Sequence, residues 1–259
     1  MELDDAFANA AHIPGAAAYP DRWRASAEAF CNGQQAEMGL AYGPGARQRL
    51  DLFLPEGRAK GLMIFVHGGY WLKFGREWWS HLATGALARG WAVALPSYTL
   101  APQAHISEIT AEIARAVGFA AARVEGPISL SGHSAGGQLV ARMLAPGVLP
   151  DEVLGRVAHV APISPVADLR PLLRTSMNSD LRLSEAEAAA ESPVLQPAPE
   201  TPVTVWVGAD ERPVFLEQAE ALAKAWGCGH VVVPKRHHFD VIDALADPGS
   251  ELTKSLTLP

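Results

Sequence analysis

The sequence predicts an α/β fold, a mostly parallel central sheet with helices on both faces, and three observations predict it. From residue 50 onward, short apolar runs alternate with longer amphipathic segments, the pattern of βα repetition around a parallel sheet. Several of these runs, MIFV (63–66) and VTVWV (203–207) among them, are apolar at every position, as strands covered on both faces must be. A third, PISLSG (127–132), passes into the helix-forming AGGQLVARML (135–144) through a serine set among glycines.

Taken in order, residues 1–49 carry Pro14, Pro20, Pro44 and several glycines, which predict a partly irregular arm wrapping the core. Strands follow at LDLFLP (50–55), GLMIFVHGG (61–69), WAVALP (91–96), PISLSG (127–132), VAHVAPIS (157–164), PVTVWVG (202–208) and HVVVP (230–234). Between them REWWSHLATGALARG (76–90), ISEITAEIARAVGFAAARV (106–124), AGGQLVARML (135–144) and PVFLEQAEALAKAWG (213–227) show apolar residues at helical spacing. Residues 165–201 hold helical pieces and a proline-rich end but no strand, which predicts a small helical cap or lid inserted over one edge of the sheet. The expected organisation is a single domain over 1–259, since α/β folds of about 250 residues are often one domain.

Composition narrows the function. A chain that is 49% hydrophobic and 19% charged suits a soluble globular protein. The formal charge of −7, with no basic run beyond Lys235-Arg236-His237-His238, argues against nucleic acid or an anionic membrane as partner. Cys31 and Cys228 show no metal or redox spacing. The opening MELDDAF lacks the positive, then apolar, pattern of a secretory signal, and no run reaches the length of a membrane span. The expected setting is therefore cytoplasmic, with a small-molecule substrate; assembly into a homo-oligomer is compatible with the sequence.

Gly132-His133-Ser134-Ala135-Gly136 fits G-x-S-x-G between a strand and a helix, the setting of a nucleophile elbow. Ser134 is expected at positive φ, with its Oγ aimed off the carboxyl end of the sheet over a helix N-terminus. Neighbouring glycines leave room for so sharp a turn. A phosphate-binding or merely tight βα turn is the plainer alternative.

After MIFV comes His67-Gly68-Gly69-Tyr70-Trp71, and here the sequence resembles the α/β-hydrolase superfamily over most of its length. The resemblance implies an α/β-hydrolase fold, with the amides of Gly68, Gly69 and Ala135 as oxyanion-hole donors. His67 is expected to brace the loop. HGGYW, SPVADL (164–169) and PSYTLAP (96–102) resemble the kynurenine formamidase (arylformamidase) group and related esterases. A bulky Tyr70 beside the oxyanion hole would suit a small acyl group such as formyl, and Trp71 would stack on an arylamine leaving group; core packing is the alternative for both.

The superfamily order is Ser, acid, His. Aligned on Gly208, Pro213 and Phe215, the family pattern implies Glu211 as the acid, with Asp210 as the alternative one residue early. The H-F-[DE] pattern selects His238 and leaves His237 without a role. No metal or other cofactor is implied, because two adjacent histidines lack the converging ligands of a zinc site.

The expected chemistry is two-step acyl transfer by a Ser-His-acid triad. An N-formyl arylamine such as N-formylkynurenine is the favoured substrate, with small esters as the alternative. A ligand-binding protein on a catalytically dead hydrolase fold is the remaining reading.

Overall fold

In the computed structural model, which describes residues 1–257, eight strands pair into one sheet in the order β1-β2-β4-β3-β5-β6-β7-β8. They are β1 Ala36–Ala41, β2 Arg49–Phe53, β3 Leu62–Val66, β4 Ala92–Pro96, β5 Ile128–His133, β6 Val157–Ile163, β7 Thr204–Gly208 and β8 Gly229–Val233. The pairs β1/β2 and β2/β4 are antiparallel, and the rest are parallel. All seven predicted strand segments contain a strand.

Alternation along the central strands divides the core into two layers. Leu62, Ile64 and Val66 of β3 point into one cluster, while Met63 and Phe65 point into the other. The helices are α1 Tyr19–Cys31, α2 Thr84–Ala88, α3 Ile106–Ala121, α4 Ala135–Arg142, α5 Asp151–Leu154, α6 Asn178–Leu181, α7 Glu185–Ala190, α8 Pro213–Trp226 and α9 Glu251–Leu256. Buried residues of α3, α4 and α8 fill the first layer; those of α1, α2 and α9 fill the second. Both faces are thus covered, so strands apolar at every position are accommodated.

Two segments differ from the sequence expectation. The arm is more regular than its prolines suggest, because it contains both α1 and β1. In β1 the register shifts between Glu37 and Leu40, and Gly39 has φ 66°; this bulge breaks the alternation by which a strand is recognised. Residues 76–90 form two 3₁₀ turns and the five-residue α2 in place of one helix. Trp79 leaves helical geometry at φ −123°, and its buried indole packs on Trp23, Phe65 and Phe74.

The 165–201 segment lies against α3 and α4. Glu191 accepts hydrogen bonds from Thr110 (2.7 Å) and from Arg142 Nε (3.1 Å) and Nη2 (3.3 Å). The amino-terminal arm meets that segment where Arg174 pairs with Glu2 and the Ser176 amide donates to Asp4. Among the described residues, no helix is long and apolar enough to cross a membrane.

Candidate active site

Ser134 stands between β5 and α4 at φ 57°, ψ −115°, and is 2% exposed. Its amide donates to Ile163 O (2.9 Å) and its carbonyl accepts from Gln138 N (3.2 Å). Main chain passes close to this turn, and only glycine leaves room for it. A Cβ on Gly132 would lie 2.2 Å from Gly136 O, and one on Gly136 would lie 2.0 Å from Val66 O. Gly136→Ala should therefore cost about 3 kcal/mol or more, as overpacking against rigid backbone does, and a lowered thermal midpoint checks it.

The loop after β3 lies against this turn. A Cβ on Gly68 would sit 2.7 Å from His133 O and 3.0 Å from Ser134 Cβ. Gly69 has φ 103°, and among the described residues the amides of Gly68, Gly69 and Ala135 donate to no protein acceptor. Three free donors beside a serine at the start of a helix are a setting that favours negative charge. Tyr70, Trp71 and Phe74 also adopt positive φ, each at a cost of about 1–3 kcal/mol.

Anchors on several sides hold these conformations. Tyr98 Oη donates to His67 O (3.0 Å), Ala101 N donates to Trp71 O (2.9 Å), and Arg47 donates to Phe74 O. His67 stacks on Tyr98 with centroids 4.4 Å apart, and its Nδ1 contacts Gly68 O at 2.8 Å. Burial lowers the His67 pKa to about 4, so at neutral pH it packs as an uncharged ring.

Trp71 does not reach the cavity above Ser134. It is fully buried (0% exposed), and its indole N–H donates to Gln138 Oε1 at 3.2 Å. The leaving-group contact expected of it is corrected: Trp71 braces the loop from below. Tyr70 does line the cavity, and its Oη donates to Phe7 O (2.7 Å).

Glu211 and His238 meet across two loops. β7 ends at Gly208, where a Cβ would lie 2.2 Å from Arg236 O, so the histidine-bearing loop passes directly over the strand end. Glu211 Oε2 lies 2.5 Å from His238 Nδ1, while Oε1 accepts from Ser164 Oγ (2.5 Å) and Gly208 N (2.8 Å). Burial alone would raise the Glu211 pKa, but the attraction of His238 and the three donated hydrogen bonds outweigh it and hold the carboxyl below its ordinary value. Asp210 is exposed, and its amide donates to Arg236 O (2.9 Å). Its main chain pins the loop, while its carboxylate makes no hydrogen bond to His238.

His238, 3% exposed, is held between the rings of Phe215 (4.3 Å) and His133 (4.5 Å). Burial, then the neighbouring His238, push the His133 pKa well below its ordinary value. With Nδ1 on Glu211, His238 has Nε2 left for a reactant. Ser134 and His238 line one cavity of 870 Å³ without a hydrogen bond between them, an arrangement common before substrate arrives. His237, without a role in the sequence reading, contacts Tyr19 Oη through Nε2 at 3.1 Å and so ties the loop to α1.

Most of the cavity roof comes from the amino-terminal arm. Phe7, Asn9, Ala16 and Trp23 line it from that side, and the 165–201 segment adds only Ser176 and Met177. The rings of Trp23, Phe74, Trp79 and Phe239 complete an aromatic wall. Sequence reasoning missed these side chains and Ser164, although Ser164 opens the SPVADL segment. Among the described residues, no group of three or more His, Cys, Asp and Glu could hold a metal ion.

A family model for the alpha/beta hydrolase fold matches residues 63–238. The chain belongs to the α/β-hydrolase family. Kynurenine formamidase of Danio rerio is 28% identical over 238 residues, covering 86% of this chain and 81% of that protein. The same enzyme of Drosophila melanogaster is 29% identical over 240 residues, covering 84% and 79%. A crystal structure from Silicibacter sp. TM1040, named only provisionally as a thioesterase, matches with a TM-score of 0.98 and 57% identity over the whole of both chains. An esterase of Pyrobaculum calidifontis shares the fold, with a TM-score of 0.69 and 18% identity over 92% of each chain.

Proposed function

We propose that this α/β-hydrolase is a serine amidase that removes a formyl group from an arylamine of the N-formylkynurenine kind. The observation that carries the reading is the shape of the cavity over Ser134. Tyr70 stands beside the candidate oxyanion amides with its hydroxyl fixed on Phe7, and an aromatic wall extends beyond. The first feature restricts the acyl side and the second suits a flat aromatic leaving group. Likeness to two kynurenine formamidases over most of the chain supports it.

In this reading Ser134 Oγ attacks the formyl carbon as His238 Nε2 takes its proton. The oxyanion is held by the amides of Gly68, Gly69 and Ala135. The C–N bond breaks, and the amine leaves with the proton from His238. Water then adds to the formyl-enzyme, giving up a proton to His238, and formate is released as Ser134 Oγ regains one. Glu211 keeps the proton on His238 Nδ1 throughout, which leaves Nε2 able to accept. Free Cys31 and Cys228 support a reducing, cytoplasmic setting. The anchoring of Glu191 on α3 and α4 supports reading 165–201 as a fixed cap within a single domain.

The provisional thioesterase name of the 57% identical protein favours a second reading, hydrolysis of small esters or thioesters. A side-by-side measurement separates the two. On one arylamine, the formyl derivative should show a kcat/KM at least about tenfold above the butyryl one, a difference that pocket size alone readily produces. Equal or reversed values, with faster turnover of acyl thioesters or p-nitrophenyl esters, would move the assignment to the second reading.

A further inference from the structure

Behind the catalytic imidazole lies a second, smaller cavity of 180 Å³, lined by His12, Glu211 and Arg212 among others. It shares two residues with the large cavity, Asn9 and His238, which therefore form the partition between them. The contrast in lining is chemical. The large cavity is walled mostly by apolar and aromatic side chains, whereas the small one adds charged and polar groups to the apolar Ile13 and Pro213. At about 30 Å³ per water molecule, the smaller holds several waters but no arylamine.

Asn9 is the unexplained member of the partition. It is 5% exposed, its Oδ1 is wholly buried without a partner, and its side-chain amide makes no hydrogen bond among the described residues. A buried amide left unpaired destabilises a fold, and the neighbouring Phe7 and Ala16 show that apolar side chains are accommodated on the same arm. With Oδ1 enclosed, Nδ2 is the part of the amide left to face a cavity, so the expected occupant is small and able to accept. Two-step hydrolysis needs such a molecule beside His238 once the acyl-enzyme has formed.

We propose that Asn9 positions the hydrolytic water, which reaches the acyl-enzyme from the small polar cavity. Resting on the serine-hydrolase reading, this gives Asn9 of the amino-terminal arm a part in deacylation. The water's oxygen bonds to the acyl carbon, one of its protons passes to His238 Nε2, and the bond from that carbon to Ser134 Oγ breaks as Oγ takes a proton. The carboxylic acid departs through the large cavity. Acylation uses no water, so Asn9 enters that step only as part of the wall of the large cavity.

The test measures the two half-reactions separately with p-nitrophenyl acetate. Single-turnover release of nitrophenol reports acylation, and loss of the acetyl adduct from intact protein reports deacylation. In Asn9→Leu, decay of the adduct should slow by about tenfold or more, the scale of a mispositioned reactant, and by several-fold more than the change that the altered cavity wall brings to acylation. Asn9→Ser, which restores a polar contact, should recover most of the rate. A thermal midpoint shows that each variant is folded. Equal slowing of both half-reactions, or an unchanged adduct lifetime in Asn9→Leu, would overturn the proposal while leaving the serine mechanism in place. Absence of both nitrophenol release and adduct in wild type would overturn the serine reading and this inference with it.

Discussion

Replacing Ser134 by alanine is expected to lower kcat by about a million-fold, the loss seen when a serine nucleophile is removed and binding groups remain. The fold should survive, because the Ser134 side chain makes no hydrogen bond that alanine would forfeit and its backbone bonds to Ile163 and Gln138 are independent of Oγ. Wild-type protein should also be labelled by a fluorophosphonate, and Ser134→Ala should not. A glycine at the same position separates strain from chemistry. It is equally inactive, yet relief of the φ 57° geometry should make it more stable than the alanine variant by about 1 kcal/mol. Turnover near wild type in Ser134→Ala would remove it as nucleophile. Wild-type protein that resists the probe would instead favour a ligand-binding protein on a silent hydrolase fold.

The elements on which this chemistry depends were legible because each is a local backbone requirement written in residue types. A run apolar at every position announces a strand between two layers, and β3, β5 and β7 carry the loops that hold Gly68, Ser134 and Glu211. Gly132 and Gly136 mark main-chain approaches that no side chain survives. Less legible was whatever depends on contacts between distant segments. Nothing local in residues 7–23 says that they roof the cavity, since Phe7 and Trp23 read equally well as core. Trp71 shows the converse: an aromatic beside the oxyanion loop suggested a substrate contact, and only the Gln138 acceptor one turn along α4 reveals why it turns inward. β1 was hidden by its bulge, and α1 by a composition in which Trp23 and Ala27 alone are buried.

The arm also changes how the site is connected. Phe7 touches both halves of it, since its carbonyl receives the Tyr70 hydroxyl and its ring meets Phe215, which in turn packs on His238. Asp5 pairs with Arg212, one residue from the candidate acid. Such exposed pairs contribute little to stability, so the arm is held mainly by the burial of apolar side chains, Phe7, Ile13 and Trp23 among them. Its role in the site follows from where it places these side chains.

Glu211→Gln and Asp210→Asn, two neighbouring conversions of acid to amide, should have very different effects. Glu211→Gln is expected to lower kcat by about ten thousand-fold, the loss typical of a triad whose histidine is held in the wrong tautomer. The new amide can donate to His238 Nδ1, which drives the ring proton to Nε2 and leaves it unable to accept from Ser134. Its oxygen can still receive Ser164 Oγ and Gly208 N, so the loop keeps two of the bonds that Glu211 makes. Asp210→Asn should stay within about twofold of wild type, as exposed substitutions generally do, because its structural contact is made by the backbone amide. Equal small losses in both variants would undo the assignment of either acid.

Acid titration tests the same carboxylate through stability. The folded pKa of Glu211 is lower than its ordinary value of 4.5, so on acidification the unfolded chain takes up the proton first and stability rises with pH across that interval. The contribution is complete above about 4.5 and is lost as pH falls through the lower folded value. Glu211→Gln has no such proton to gain. The wild type's stability relative to this variant should therefore fall as the pH is taken below about 4.5, in denaturant melts at constant ionic strength. A constant difference would mean that the carboxylate is not held in its ionised form by His238, Ser164 and Gly208, and the tautomer argument would lose its physical basis.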